Sequence, residues 1–376
     1  MGAVPHLVDS PPGSAVATPL AAHLRPDSLT PYRGALTPPA FSATGSELTA
    51  LATSIGIYDL GYLAFLKITG ADRIRWLNGM VTNTVQSLED NYSNYSFLLN
   101  AQGRILGDAT IYRTPDHLLF QTDLSQITRL AAHLDHYIIM DEVELHELDA
   151  STTVLGVAGP RSAELLRNLG LTIPEENSFT RTRLNDVQNR SIDVTVAHSY
   201  SPLVPRFEIW LPVDDLPTVW SAFRDAGAIP SGTAAVEALR ILSAIPLYGL
   251  DIQERHLAQE TGQTRALNFN KGCYLGQEIV ERIRSRATIH RILRQFSLSG
   301  ESPAIEPGQT IPLNAEQADR NSVGELTGLA RIELPAFTGT LALGLIRTEV
   351  LERRLPITYS GGAATPLDSP PQITQN

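Results

Sequence analysis

Leu155-Gly156-Val157-Ala158-Gly159-Pro160 reads as a strand running into a helix that opens on proline, with Ala163, Leu165 and Leu166 on its apolar side. The same order of residues occurs earlier in the chain. Residues 64–69 (Ala-Phe-Leu-Lys-Ile-Thr) form a strand pattern, and Gly70-Ala71-Asp72 opens a helix carrying Ile74, Trp76 and Leu77. Gly159 follows Gly70 by 89 positions (159 − 70). Further on, residues 207–212 give a strand, then Asp214 and a helix through Leu216, Val219, Trp220 and Phe223. This run parallels residues 117–122, Asp123 and a helix through Ile127, Leu130, Ala131, Leu134 and Ile138, which Ser125 is expected to cap. Asp214 follows Asp123 by 91 positions (214 − 123). Two offsets this close predict a duplicated α+β unit, each half a small antiparallel sheet covered by helices. Two unrelated strand-helix pairs at a chance spacing are the competing explanation.

Between these anchors, residues 95–99 and 104–112 are β-type runs joined by Asn100-Ala101-Gln102-Gly103, a hairpin signal. Residues 234–244 read as a helix broken by Pro246-Leu247-Tyr248-Gly249. From Ile292 the pattern changes to short β-type runs at 294–298, 310–313, 326–332 and 341–347, separated by turn residues such as Pro307-Gly308 and Asn321-Ser322. That is the pattern of a small all-β barrel or sandwich. The expected organisation is an extended Pro-rich arm over 1–45, a first α+β unit over 46–150 and a second over 151–290, then a C-terminal β-barrel over 291–359 and a loose tail over 360–376.

A chain of 376 residues exceeds one ordinary core, and 43% hydrophobic with 18% charged residues describes a globular protein. A formal charge of −11 argues against a general binder of nucleic acid or anionic membranes, although it leaves room for a local basic patch. The single cysteine excludes an internal disulfide, and no Cys/His cluster has zinc spacing, so no metal site is expected. No apolar run approaches the roughly 18 residues of a membrane span. The N-terminus lacks a basic start followed by an apolar segment, so a cytoplasmic location is expected.

The chemistry concentrates in residues 268–278, Asn-Phe-Asn-Lys-Gly-Cys-Tyr-Leu-Gly-Gln-Glu. This stretch holds the only cysteine and one of two lysines in a chain with 27 arginines. A thiol of pKa about 8.5 becomes a better nucleophile beside a cation or a helix N-terminus. Lys271 and a helix starting near Gly276 are candidates for both roles, while a buried cysteine acting as a small hydrophobe is the simpler alternative. None of the nine histidines has an informative spacing, and His256 and His290, which bracket the stretch, read as surface residues. Arg282, Arg284, Arg286, Arg291 and Arg294 form a cationic band, either a solvated helix face or a site for a polyanion such as a polyglutamate tail, a phosphate or RNA. Asp108 and Glu208 lie inside apolar strand patterns, where each carboxylate faces either a pocket or water. Gly103-Arg104-Ile105-Leu106-Gly107 lacks the spacing of a phosphate loop, so ATP or NAD binding has no support.

Lys271-Gly272-Cys273-Tyr274-Leu275-Gly276-Gln277-Glu278, continued by Arg282, resembles the K-G-C-Y-x-G-Q-E-x-x-x-R signature of the YgfZ family. These are folate-binding proteins similar to the aminomethyltransferase (T-protein) of the glycine cleavage system that act in iron-sulfur cluster assembly or repair. The resemblance runs from about Ser54 through Leu239-Arg240 and Tyr248-Gly249 to Gly328-Leu329-Ala330. It implies a three-domain ring, two related α+β units and a C-terminal β-barrel, around a tetrahydrofolate site. By motif, it implies Asp108 near the folate's reactive nitrogens, Glu208 on the pterin and Arg240 near the benzoyl-glutamate. It also implies Tyr274 and Gln277 as further folate contacts, and Cys273 with Lys271 as the reactive group at the edge of the opening. The transferases commonly carry two adjacent acids where this chain has Gly107-Asp108, and they lack the cysteine octet, while Arg206-Phe207 replaces their usual residues before Glu208. The resemblance therefore implies folate binding and iron-sulfur proteins or assembly factors as partners. The alternatives are a folate-dependent one-carbon transferase and a non-enzymatic tRNA or protein adaptor.

Overall fold

The computed structural model describes residues 15–373 apart from 149–150, 186–189, 287–288, 302, 304, 306–308 and 317–321. Residues 1–14, the Pro307-Gly308 turn, Asn321 and the Arg286 side chain therefore lie outside the described residues.

The duplication is a property of the fold. In the first unit, strands Leu63–Thr69, Ser93–Leu99, Ile105–Arg113 and Leu118–Asp123 form an antiparallel sheet in the order second, third, fourth, first, with Glu144–Glu147 on its edge. In the second unit, Thr152–Ala158, Phe179–Asn185, Ser191–Ser199 and Arg206–Pro212 repeat that order, extended by Gly56–Asp59 and Ile229–Ser231. The helices repeat as well: Arg73–Asn78 and Ser162–Asn168 follow the first strands, and Ile127–His136 and Leu216–Asp225 follow the fourth. Gly70 and Gly159 are glycines for the same reason. Both have positive φ, and a Cβ would lie 2.0 Å from the Glu142 carbonyl oxygen or 2.2 Å from that of Ser54. One face of each sheet packs on its own helices, with Leu66, Ile111, Phe120 and Leu130 in the first core and Val157, Ile209, Val219 and Phe223 in the second. Between the sheets lies a separate aromatic core in which Phe65, Tyr112 and Phe179 surround Trp210. Ser125 is not the cap of Ile127–His136. Gln126 occupies that position, and Ser125 donates to the Asp123 carboxylate through both its amide and its hydroxyl.

The C-terminal part is a closed six-stranded barrel, Arg291–Gly300, Phe337–Arg347, Ser322–Leu334, Ile311–Asn314, Thr358–Tyr359 and Gly362–Leu367, filled by Phe296, Leu313, Leu326 and Ile346. It packs on the second unit and reaches the first through Arg255, in the segment after helix Thr233–Leu242. Gln295 donates to the carbonyls of Ile241 and Leu242 at 2.6 and 3.1 Å, at the end of helix Thr233–Leu242. Arg255 pairs with Glu325 of the barrel, and its carbonyl accepts from Arg104 of the first unit at 2.5 Å. The three units thus close a ring. Among the described residues, no helix is long and apolar enough to cross a membrane.

Three expectations about segment boundaries need correction. Residues 15–45 are not an extended arm: they form strands Val16–Ala17, Thr30–Tyr32 and Ala35–Thr37 and helix Pro19–Leu24, and helix Thr44–Thr53 begins at their end. Their prolines are punctuation rather than spacer. Pro19 sits in the first turn of its helix behind the Thr18 cap, Pro31 lies on an edge strand, and the Pro38 and Pro39 carbonyls accept from the N-terminal amides of helix Thr233–Leu242. Leu20 is fully buried in the second unit's core. The tail is not loose from Ser360, because Gly362–Leu367 closes the barrel against Arg291–Gly300. Its glycines permit that closure, since a Cβ on Gly362 would lie 1.9 Å from the Ser299 carbonyl oxygen. Finally, Gly56–Asp59 belongs to the second unit's sheet although it precedes the first unit in sequence.

Candidate functional site

An open cavity of about 1250 Å³, its mouth included, lies where the two sheets face each other at one end of the aromatic core. Tyrosine dominates its wall: Tyr32, Tyr58, Tyr62, Tyr95, Tyr112 and Tyr200 line it, six of the chain's 11. Strand alternation carries Asp108 from the first sheet and Glu208 from the second into this space, so both carboxylates face the pocket rather than water.

Glu208 is 4% exposed and fully oriented. Its Oε2 accepts from Gln121 Nε2 at 2.7 Å and Trp210 Nε1 at 3.2 Å, and its Oε1 from Ser199 Oγ at 2.8 Å. A carboxylate has about four acceptor positions, so one remains open. Asp108 accepts from Tyr95 Oη at 2.6 Å and Gln126 Nε2 at 2.9 Å. Burial pushes its carboxyl above the usual range, against the pull of those two hydrogen bonds. Gln126 also donates to Asp123, which pairs with Arg33 Nε at 2.9 Å. Gly107, the residue before Asp108, faces the helix instead: a Cβ there would lie 2.8 Å from Gln126 Oε1 and Leu130 Cδ1. The strand thus presents a single carboxylate.

Arg240 lines the cavity but its charge is already engaged. It pairs with Glu237 at 2.8 Å and with the fully buried Asp251 at 2.5 Å, and Asp251 also accepts from Leu247 N and Thr327 Oγ1. This array ties helix Thr233–Leu242 to the barrel, and makes Arg240 a brace behind the cavity rather than an open ligand for benzoyl-glutamate.

The cavity wall contains none of Lys271, Cys273, Tyr274 and Gln277. Lys271 Nζ donates to the carbonyls of Asn78, Val81 and Asn83 at 2.6, 2.6 and 2.7 Å, and lies 4.9 Å from the centre of the Tyr274 ring. Burial pulls its pKa down to about 7. Three carbonyl acceptors oppose that, because only an ammonium offers three N–H donors, and the clamp as built is that of the charged form. Lys271 is therefore occupied with the backbone of the first unit. Tyr274 is buried among Phe97, Leu99, Ile105 and Val280, and Gln277 Oε1 accepts from the Tyr274 amide at 3.2 Å. Gly276, at φ +80°, presses on the Asn100–Gly103 turn, where a Cβ would lie 2.6 Å from the Asn100 carbonyl oxygen. The octet is a docking element that leaves the thiol of Cys273 exposed and off the cavity wall. His256 is buried, not a surface residue. Desolvation, with Arg255, Arg291 and Arg104 nearby, holds it at about 4. Arg284 of the basic band lies over Phe269 at 4.6 Å and pairs with Glu281. Among the described residues, no group of three or more His, Cys, Asp or Glu side chains is placed to hold a metal ion.

Sequence reading missed Tyr32, Arg33, Arg206 and Arg265, all on the cavity wall. Tyr32 and Arg33 lie in the segment read as an arm. The usable signal was compositional: the chain has few aromatic residues, yet tyrosines recur at 58, 62, 95 and 112, in or beside strands of the two sheets that carry the acids.

A cavity between duplicated α+β sheets, braced by a barrel and lined by oriented carboxylates and tyrosines, is the kind of concave site in which small molecules bind. The chain belongs to the GCVT N-terminal domain family, whose model matches residues 14–271. Its similar proteins include the aminomethyltransferase of Exiguobacterium sibiricum, 25% identical over 343 residues, covering 90% of this chain and 92% of the relative. The aminomethyltransferase of Thermotoga maritima is 23% identical over 328 residues, covering 86% of each. Among solved structures, the glycine cleavage system aminomethyltransferase T from Bartonella henselae shares the fold, with a TM-score of 0.81 at 18% identity, covering 96% of this chain and 100% of that chain.

Proposed function

We propose that the cavity binds a reduced folate, with the pterin at Glu208, and that the chain supports assembly or repair of iron-sulfur proteins rather than aminomethyl transfer. Glu208 carries this reading. A buried carboxylate held by three donors and left with one open acceptor position can take one N–H of the pterin edge, from its amino group or its ring nitrogen. The tyrosine walls match flat rings. When bound, tetrahydrofolate would supply nitrogens able to hold a one-carbon unit. Asp108, fixed by Tyr95 and Gln126, would hold a proton or a hydrogen bond beside them.

Two observations favour the iron-sulfur role over transfer. The strand carries one carboxylate where the transferases commonly carry two adjacent acids, and the side of Gly107 is filled by Gln126 and Leu130. The octet holds an exposed thiol outside the cavity, where it meets a protein partner or a cluster rather than the bound folate. Complementation tests both parts. In a deletion strain scored by the activity of an iron-sulfur enzyme, wild type restores activity, and Glu208→Ala and Cys273→Ala each fail to. Full rescue by Cys273→Ala removes the thiol from the mechanism. Rapid turnover of a methylamine-type donor by purified protein with tetrahydrofolate would instead establish the transferase.

A further inference from the structure

Four arginines reach the cavity, and two of them make no ion pair among the described residues. Arg33 is paired with Asp123, and Arg240 with Glu237 and Asp251. Arg206 and Arg265 have no ion pair among the described residues. Arg206 projects from the same side of its strand as Glu208, and its Nε is buried with no hydrogen-bond partner among the described residues. Arg265 lies between the rings of Tyr95 and Tyr200, 4.0 and 4.5 Å from their centres, with Nε on Gln263 Oε1 at 3.2 Å. Its terminal amino groups have no hydrogen-bond partner among the described residues. The two arginines are close enough for repulsion from Arg206 to add to the burial that depresses Arg265.

Holding two guanidiniums together in a half-buried space with no ion pair for either is unfavourable: each loses hydration, and Glu208 and Asp108 act on them only through space. The chain has 40 acidic residues against 29 basic ones, so the missing partner does not reflect a shortage of acids. The positions are also held deliberately. The Arg265 carbonyl accepts from Asn83 Nδ2 at 2.9 Å, and the neighbouring Ala266 carbonyl from Thr82 Oγ1 at 2.6 Å. The Asn83 carbonyl is in turn one of the three held by Lys271. The octet thus fixes the loop against which Arg265 is placed.

We propose that Arg206 and Arg265 form a carboxylate-recognition pair inside the cavity, taking the anionic part of the ligand in place of Arg240. This rests on the reading of the cavity as a reduced-folate site, where the anionic part is the glutamyl moiety. A planar guanidinium stacked between two tyrosines is pre-organised for a carboxylate, because its fork is already fixed.

Three ligands separate the claims in equilibrium titrations of the full chain: tetrahydrofolate, a methyltetrahydropterin with no carboxylate, and para-aminobenzoyl-triglutamate with no pterin. Arg206→Gln and Arg265→Gln are each expected to weaken tetrahydrofolate and the aminobenzoyl peptide by about 10-fold or more, the loss of one charge-assisted contact, and to leave the pterin within about 2-fold. Raising the salt concentration should weaken the first two ligands in wild type and have little effect on the pterin. Arg265→Gln should leave the melting temperature at or above that of wild type, an outcome a structural arginine would not give. The pair is refuted if the variants bind the aminobenzoyl peptide as wild type does, or lose all three ligands equally. If wild type binds the peptide through these arginines but not the pterin, the pair stands and the folate reading falls.

Discussion

Replacing Lys271 by methionine tests whether this lysine is a clamp or an activator of the neighbouring thiol. Methionine keeps a stem of similar length and removes all three N–H donors. Three hydrogen bonds from a charged donor, at roughly 1.5–3 kcal/mol each, bound the loss at about 5–9 kcal/mol. Part of this is returned, because the buried ammonium no longer has to be desolvated and the freed carbonyls recruit water. The expected net destabilisation is therefore about 2–4 kcal/mol. Urea unfolding followed by circular dichroism measures it. The rate of Cys273 reaction with a disulfide reagent, followed against pH, gives the thiol's ionisation in the same variant. The clamp predicts a lower urea midpoint and an unchanged thiol pKa, because Nζ is spent on the Asn78–Asn83 carbonyls. A midpoint equal to wild type, with the thiol pKa raised by about one unit or more, would refute it and return Lys271 to a role in activating Cys273.

Further outcomes follow from the same geometry. Gly276→Ala should cost roughly 2–4 kcal/mol, combining a positive φ with a 2.6 Å clash against the Asn100 carbonyl, and limited proteolysis should then cut near the octet. Asp59, buried beside Thr18, is held at about 6 by desolvation against an ordinary 3.8. The folded state therefore binds the extra proton, and stability should fall by about 3 kcal/mol as pH rises from roughly 4 to 6. Asp59→Asn should flatten that slope in thermal melts, and a slope that persists would assign it elsewhere. Arg240→Ala should lower stability by about 3–5 kcal/mol by stranding Asp251 in the core, while Arg240→Lys restores part of it. A loss of ligand affinity without loss of stability would make Arg240 a ligand residue after all.

The duplication was legible because it rests on local features that recur: a glycine at a close backbone crossing, an acid after the fourth strand, and helical periodicity after each. Strand starts Leu63 and Thr152, and helix starts Ile127 and Leu216, are both separated by 89 positions (152 − 63 and 216 − 127). The barrel was legible from its alternation, apart from its last strand, whose glycines look like a loop until their partner strand is known. The N-terminal segment was not legible, because proline marks an N-terminal helix turn, an edge strand and a disordered spacer alike, and burial of Leu20 decides between them. At the site, strand alternation left Asp108 and Glu208 facing either a pocket or water, and only the motif pointed to the cavity wall on which they lie. The octet shows the opposite limit. Its composition suggests reactive chemistry, but Lys271, Tyr274 and Gln277 make their contacts with carbonyls, apolar side chains and an amide that no pattern in the sequence connects to them.

The most direct measurement of the central claim is a crystal structure of the chain with a stable reduced folate, supported by a titration of the same ligand against Glu208→Ala. The cavity reading predicts the pterin between the two sheets, hydrogen-bonded to the open position of Glu208, and at least a 10-fold loss of affinity in the variant. A folate bound elsewhere, or an affinity unchanged by Glu208→Ala, would contradict it.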